Sequence, residues 1–315
     1  MSISIVIRAF NEEKHIGRLL YGITQQTYPD PEVILVDSGS TDSTLAIAAR
    51  YPVKVVHIQP EEFTFGRSLN QGIAAATNEF VVIISAHCFP VYPDWLELLT
   101  AQFSNPKIAL CYGKQRGGET NHYSEHQFFR KYFPDNSVIQ QAHPYSHNAN
   151  AAIRRSLWEV HHYDEDLTGL EDLAWSSWAM DEGHEIAYVA EAEVIHLHQE
   201  TMKQVYKRYQ REAIALKQIL PKSTFSFGTL LRRWVGNSLY DINQARREGV
   251  LFRQTASILS FRLMQNLGTY RGFHYAGKID SSLHRAFYYP PDILDKKIAK
   301  PRPVDPINYT EKRSK

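Results

Sequence analysis

Apolar residues in the first half of the chain arrive in short unbroken runs, separated by segments of helical spacing. The run Phe80-Val81-Val82-Ile83-Ile84 is β-rich and too short for a helix, so it predicts a buried strand of a parallel sheet that turns polar only at Ser85-Ala86-His87. Three further strands are predicted over Ile3 to Ile7, Glu32 to Val36 and Val53 to Ile58. Between them, Ile16, Leu19, Leu20 and Ile23 mark one helical face running to about Gln26. Thr41 or Asp42 is placed to cap a helix through Ala49, and Phe65 to Ala76 reads as another helix. Strands alternating with helices predict an α/β fold with a doubly wound, mostly parallel, Rossmann-like sheet, which keeps its ligand beyond the carboxyl ends of its strands.

Farther along, Trp95-Leu96 opens a helix and Ile108 to Tyr112 is a short strand. From Lys114 to Ser146 the pattern loosens into Gly, His, Asn and aromatic residues, as expected of a variable segment facing a substrate. Order returns at Asn148. Glu171 to Asp181 reads as a helix, Glu185 to Val189 as a strand, and the chain from Thr201 to about Gly277 as helical. This predicts a sheet domain over 1–200, a basic helical region over 201–290 and an extended or loosely ordered tail over 291–315.

Composition narrows the class. With 43% apolar and 22% charged residues the chain is globular in character, and no apolar run approaches the roughly 20 residues that span a bilayer. Ile3 to Ile7 lacks the charged segment that precedes the core of a leader, and Cys88 and Cys111 alone make no disulfide framework, so a reducing, cytoplasmic setting is expected. The net charge of +1 conceals a division: residues 1–200 carry 13 Lys and Arg against 26 Asp and Glu, and residues 201–315 carry 22 against 8. The basic third is expected to meet something anionic, whether the inner face of a membrane, a phosphate-bearing acceptor or the acidic body of the same chain. No motif for reading nucleic acid accompanies it.

Several strand ends carry candidate chemistry. Asp37 opens a Ser-Gly-Ser-Thr-Asp turn, where its carboxylate can accept from a pyrimidine imide or ribose hydroxyls, or can simply form the turn. Neither a three-glycine dinucleotide fingerprint nor a Gly-Lys-Ser/Thr phosphate loop is present. Ser85 and His87 project to one side if the strand continues, with Pro90 forcing a turn after them. Asp172, behind Glu171 at a helix start, either complements the helix dipole or takes a proton from an incoming hydroxyl. His196 and His198 form a weak metal signal that strengthens if His87 lies opposite.

Taken together, Arg8-Ala9-Phe10-Asn11-Glu12-Glu13, Val36-Asp37-Ser38-Gly39-Ser40-Thr41-Asp42-Ser43-Thr44, Ser85-Ala86-His87, Gly169-Leu170-Glu171-Asp172 and Ala192-Glu193-Val194-Ile195-His196 resemble, in order, the motifs of family 2 glycosyltransferases over residues 1 to about 200. The resemblance implies a GT-A fold, a nucleotide-diphosphate sugar donor, a glycan or lipid-linked acceptor in cell-surface polysaccharide assembly, and inversion at the anomeric carbon. It places Phe10, Asn11, Glu12 and Asp37 around the nucleotide, Gly66, Arg67 and Asn70 at a helix start approaching the donor, Asp172 as base beside Glu171, and Asn148 to Asn150 on the acceptor side. The stretch Glu62 to Asn70 looks most like rhamnosyltransferases.

One departure matters. The family places a metal-binding Asp-x-Asp where this chain has Ser85-Ala86-His87, which removes both carboxylates from the expected Mg²⁺ or Mn²⁺ site. Three readings follow: a variant site from His87 and His196, a metal-free site in which Arg8, Arg67 or a C-terminal arginine meets the phosphates, or a degenerate protein that binds without catalysis. In the basic helical region Arg208, Arg211, Arg232 and Arg233 are the first candidates to hold the acceptor or keep the chain at the inner face of a membrane, or else they form a solvated helix face. A nucleotidyltransferase is the remaining rival, although the glycine-rich basic loop it needs after the first strand is absent.

Overall fold

The computed structural model describes residues 2–277. Its strands are β1 (Ile3–Ala9), β2 (Glu32–Asp37), β3 (Lys54–His57), β4 (Phe80–Ser85), β5 (Cys88–Pro90), β6 (Ile108–Gly117), β7 (Asn150–Arg154) and β8 (Glu185–His196). They form one eight-stranded sheet in the order β3-β2-β1-β4-β7-β6-β8-β5. The first four are parallel, β6 runs parallel to β8, and β7 and β5 run antiparallel to their neighbours.

Alternation along the strands makes two cores. Ile3, Ile5, Ile7, Val82 and Ile84 face α1 (Ile16–Thr24), α2 (Thr44–Ala48) and α4 (Trp95–Thr100). Val6, Val81 and Ile83 face α3 (Phe65–Ala74), α5 (Tyr123–Tyr132), α6 (Arg155–Val160) and α7 (Glu171–Asp181). Apolar residues on both faces of one strand explain the unbroken runs in the sequence.

Three long helices follow: α8 (Met202–Ile219), α9 (Phe227–Arg247) and α10 (Leu251–Phe273). Gly268 and Gly272 let α10 lie directly on α8, since a Cβ on either would fall 2.3 Å from the Tyr206 carbonyl oxygen or 2.4 Å from that of Gln210. The buried Arg262 guanidinium donates to Asp241 of α9 at 2.7 and 3.0 Å and to the Ser124 carbonyl of α5 at 3.2 Å, tying the helical region to the sheet domain.

Three expectations need correction. Residues 114–146 are not uniformly loose, because β6 continues to Gly117 and α5 occupies Tyr123–Tyr132. β8 runs seven residues past Val189 to His196, because β6 and β5 pair with it from both sides and override the weak strand preference of its Ala and Glu residues. Pro90 lies within β5 rather than in a turn. The expected tail over 291–315, and the end of the helical region beyond 277, lie outside the described residues.

Candidate active site

The register brings the candidate residues to one edge of the sheet. Arg8 pairs with Ser85 and Ala9 with Asp37 at the carboxyl ends of parallel strands, while Asn150 at the start of β7 lies beside Ile84, and His196 at the end of β8 lies beside Cys88. Loops 10–15 and 38–44 are stapled together over this edge. Asn11 N–H donates to Ser40 Oγ at 2.9 Å, its Oδ1 accepts from Thr41 N–H at 2.8 Å, and Glu12 N–H donates to Thr44 Oγ1 at 2.7 Å. Asn11 is left-handed (φ 54°), a conformation asparagine tolerates better than most residues. Phe10 is half-buried beside it. Asp37 is only 1% exposed and accepts from the N–H groups of Gly39 and Ser40, each at 3.2 Å. It therefore forms its turn, and a ligand can reach only the acceptor capacity left over.

Gly66, Arg67 and Asn70, expected to approach the donor, pack against residues 158–165. A Cβ at Gly66 would lie 2.2 Å from the Asp164 carbonyl oxygen, and Arg67 Nε pairs with Glu165 at 2.7 Å. Asn70 donates to the Tyr163 carbonyl and Glu165, both at 2.9 Å, and accepts from Trp158 Nε1 at 2.9 Å and Tyr163 N–H at 3.1 Å. Its hydrogen-bonding capacity is filled, so its role is to clamp α3.

Glu171 and Asp172 open α7 behind a left-handed Leu170 (φ 58°) and are 5% and 8% exposed. Asn148 holds both: its N–H donates to Asp172 at 3.1 Å and its side-chain amide to Glu171 at 3.4 Å. Arg8 donates to Glu171 at 3.4 Å while lying 4.8 Å over the Phe65 ring, whose contact with Arg211 is 4.6 Å. Burial pushes both carboxyls above their ordinary range, and for Glu171 the neighbouring Asp172 adds to the push. Asn150, by contrast, is a core residue: it accepts from Trp95 Nε1 and donates to the carbonyls of Lys114 and Ala192.

The strand does not stay extended to His87. Ala86 and His87 form the tight turn between β4 and β5, which swings His87 toward the end of β8. Its ring stacks on His196 at 5.1 Å, and His198 lies 4.1 Å from His196 and 5.8 Å from His87. One ring nitrogen from each of the three lies within 4.8 Å of the others. Burial holds His196 neutral, well below the usual imidazole range, and its Nε2 is buried with no hydrogen-bond partner. This donor set suits a divalent transition metal and does not suit Mg²⁺, which prefers oxygen. Glu12, expected at the nucleotide, meets His87 Nδ1 at 2.7 Å.

Sequence patterns did not expose Glu125, Gln115 or His147, which surround these histidines. Glu125 sits on α5, whose polar, histidine-bearing face hides its helical period. Despite burial, His198 and Arg208 hold the Glu125 carboxyl far below the usual range. Arg208 also pairs with Glu200 at 2.7 Å, so the acidic cluster Glu125, His198 and Glu200 already contains its cation. Next to Leu170 a cavity of about 670 Å³ opens between α5, α8, α9 and α10, lined in part by Tyr209, Glu212, Arg233 and Asn266. Burial raises the Glu212 carboxyl as well.

Residues 4–161 match the profile described as Glycosyl transferase family 2. The chain is 29% identical over 202 residues to O-antigen chain rhamnosyltransferase WbaN of Salmonella anatum, covering 60% of this chain and 64% of the relative. It is 28% identical over 222 residues to O-antigen chain rhamnosyltransferase RfbN of Salmonella typhimurium, covering 66% of this chain and 70% of that one. Among solved structures, the mannosyltransferase PcManGT from Pyrobaculum calidifontis, in complex with GDP-Man and Mn²⁺, superposes with a TM-score of 0.58 at 18% identity, covering 92% of this chain and 87% of that one. That likeness bears on the fold, which is the GT-A arrangement the motifs implied, with its helical C-terminal region.

Proposed function

The chain belongs to glycosyl transferase family 2, and from that premise we propose that it moves a sugar from a nucleotide-diphosphate donor to a hydroxyl of a glycan or lipid-linked acceptor, with inversion. The observation that carries this reading is the buried Glu171–Asp172 pair, held by Asn148 at the strand-end edge and directly following Leu170, which lines a cavity large enough for an acceptor sugar. A carboxyl whose affinity for protons is raised by burial is suited to act as a general base. Asp172 takes the acceptor proton as the acceptor oxygen bonds to C1, the bond from C1 to the phosphate oxygen breaks, and the nucleoside diphosphate leaves in one displacement. Asp37 and the stapled loops seat the nucleoside.

Charge on the leaving diphosphate needs a partner. Arg8 stands at the edge with its Nε buried and without a hydrogen-bond acceptor. His87 and His196 would hold a divalent cation whose charge, when it is bound, offsets that of the phosphates. The names of the Salmonella relatives favour a deoxyhexose such as rhamnose as the transferred sugar.

The outer face of α9 favours an acceptor presented at an anionic membrane. Phe227, Leu231, Val235 and Leu239 recur every four residues and are 42% to 60% exposed, beside exposed Arg232, Arg246 and Arg247. A second copy would bring the same arginines against each other, whereas acidic lipid headgroups complement them. No described helix is long and apolar enough to cross the bilayer.

The test is a panel of UDP-, GDP-, dTDP- and CMP-sugars, read by thermal shift and by nucleoside diphosphate release with a lipid-linked acceptor. Transfer from one donor supports the reading. A donor that stabilises the chain without turnover points to a binding protein, and release of pyrophosphate to a nucleotidyltransferase.

A further inference from the structure

The three histidines share a feature that a chance cluster would not be expected to repeat. In each, Nδ1 faces an oxygen acceptor at hydrogen-bond distance: Glu12 Oε1 at 2.7 Å for His87, Gln115 Oε1 at 2.7 Å for His196, and Glu125 Oε1 at 2.6 Å for His198. A carboxylate or amide oxygen can only accept, so each Nδ1 carries the proton and the ring nitrogen left for a metal is Nε2. That arrangement, with the outer nitrogen donating to a fixed oxygen, is how proteins orient histidines that ligate metals. The contacts come from three separate elements: the loop after β1, strand β6 and helix α5.

From this geometry we infer that His87, His196 and His198 form a three-imidazole centre for a borderline transition ion such as Zn²⁺ or Co²⁺, with Glu12, Gln115 and Glu125 as positioning residues. The inference deepens the cation reading above and rests on it for the metal's role in transfer, but not for its binding. One ring nitrogen of each histidine already lies within 4.8 Å of the others, against the mutual spacing of roughly 3 to 3.5 Å set by Zn–N bonds of about 2.1 Å, so side-chain adjustment is enough to close the centre. His196 contributes the buried, unpartnered Nε2, and His87, with 29% of its side chain exposed, opens the centre to solvent. Three protein ligands leave a position for a phosphate oxygen or water. Arg208 pairs with Glu125 at 2.8 Å and so holds in place the carboxylate that faces His198, without entering the centre itself.

The full-length untagged chain, stripped with chelator and dialysed, should bind one Zn²⁺ or Co²⁺ by calorimetry and elemental analysis. Bound Co²⁺ should show the visible ligand-field bands of a nitrogen-rich, low-coordinate site, and Mg²⁺ at equal concentration should give no heat. Glu125→Gln and Glu12→Gln should each weaken binding about 10- to 100-fold and shift the cobalt spectrum. His198→Ala should lose at least as much, with its fold checked by circular dichroism because His196 is too buried to be the sole test. Equal binding of Mg²⁺ and Zn²⁺, or a His198→Ala chain that binds cobalt with the parental spectrum, overturns the centre. The two readings fail separately. Undiminished transfer in excess chelator with no stoichiometric metal removes the centre and leaves the transferase, whereas stoichiometric cobalt with no transfer from any donor keeps the centre and removes the transferase.

Discussion

At the sheet edge, polar side chains are buried and bonded to one another, with Asp37, Asn148, Glu171 and Asp172 each at most 8% exposed, whereas on the outer face of α9 apolar side chains stand in solvent, Leu239 at 60% and Phe227 at 59%. Each region inverts what a stable surface or core prefers. These edge groups hold one another in place, as a site's groups must if its charges are to meet a ligand without rearranging. Among the described residues, this stripe of α9 is left largely uncovered, with only Phe227 meeting another ring, that of Tyr270 at 6.1 Å. Disturbing the edge should therefore change chemistry, and disturbing α9 should change where the chemistry happens.

The largest effect is expected from Asp172→Asn, which keeps the shape and removes the base. Turnover should fall by about 10² or more while vesicle binding is unchanged. The same substitution should leave stability near neutral pH equal to or above that of the parent. Because burial raises the folded-state affinity of Glu171 and Asp172 for protons, ionising them costs stability as pH climbs from the unfolded toward the folded value, and the cost persists above it. The sign for activity is opposite: the base must be ionised, so the acid limb of the rate profile should lie above the ordinary carboxylate range. A variant that transfers sugar at the parental rate would reduce Asp172 to a helix-start residue, and one with a lower melting temperature would show that the pair stabilises the fold.

Next is Asp37. Full removal would also release the 38–42 turn, since its oxygens accept from Gly39 and Ser40, so Asp37→Asn is the cleaner change. It should weaken a nucleoside diphosphate by about 1.5 to 3 kcal/mol, the worth of a charge-assisted hydrogen bond. Calorimetry giving unchanged affinity would leave Asp37 as a turn residue alone.

The sequence exposed the edge better than it exposed the contacts behind it. Unbroken apolar runs revealed β1, β2 and β4, because burial on two faces leaves a strong local signal. Ala190, Ala192 and Glu193 carry little strand preference and cross an irregularity in the pairing with β6, and β8 continues past them because Val194 to His196 pair with β6 on one side and β5 on the other. His87 and His196 were legible as candidates from their positions after strands. The partnership of Glu12 with His87, and of Glu125 with His198, depends on the turn at Ala86-His87 and on α5 packing across 73 residues of sequence, which no local pattern records. Asn70 shows the opposite case: a motif position whose bonds all turn inward once residues 158–165 are folded against it.

The α9 face can be tested without cutting the chain, and truncation after Thr201 would be a poor choice because Arg208 is ion-paired to Glu125 and Arg262 donates to the Ser124 carbonyl. Leu231→Glu with Leu239→Glu adds two charges to an exposed helix and should leave the fold and slow donor hydrolysis intact. Sedimentation with vesicles rich in acidic lipid should fall by roughly tenfold, since each side chain forfeits part of the 1.5 to 3 kcal/mol of full apolar burial. A smaller loss is expected from Arg246→Gln, about 1 kcal/mol or fivefold, the worth of one cation at an anionic surface. That loss should shrink as salt brings the Debye length to about 8 Å near 0.15 M and lower beyond it, while the loss from the leucine changes should not. Parental binding by both variants, at every salt concentration, would remove the membrane from the reading and leave the charge division between the two parts of the chain to be explained by their packing on each other.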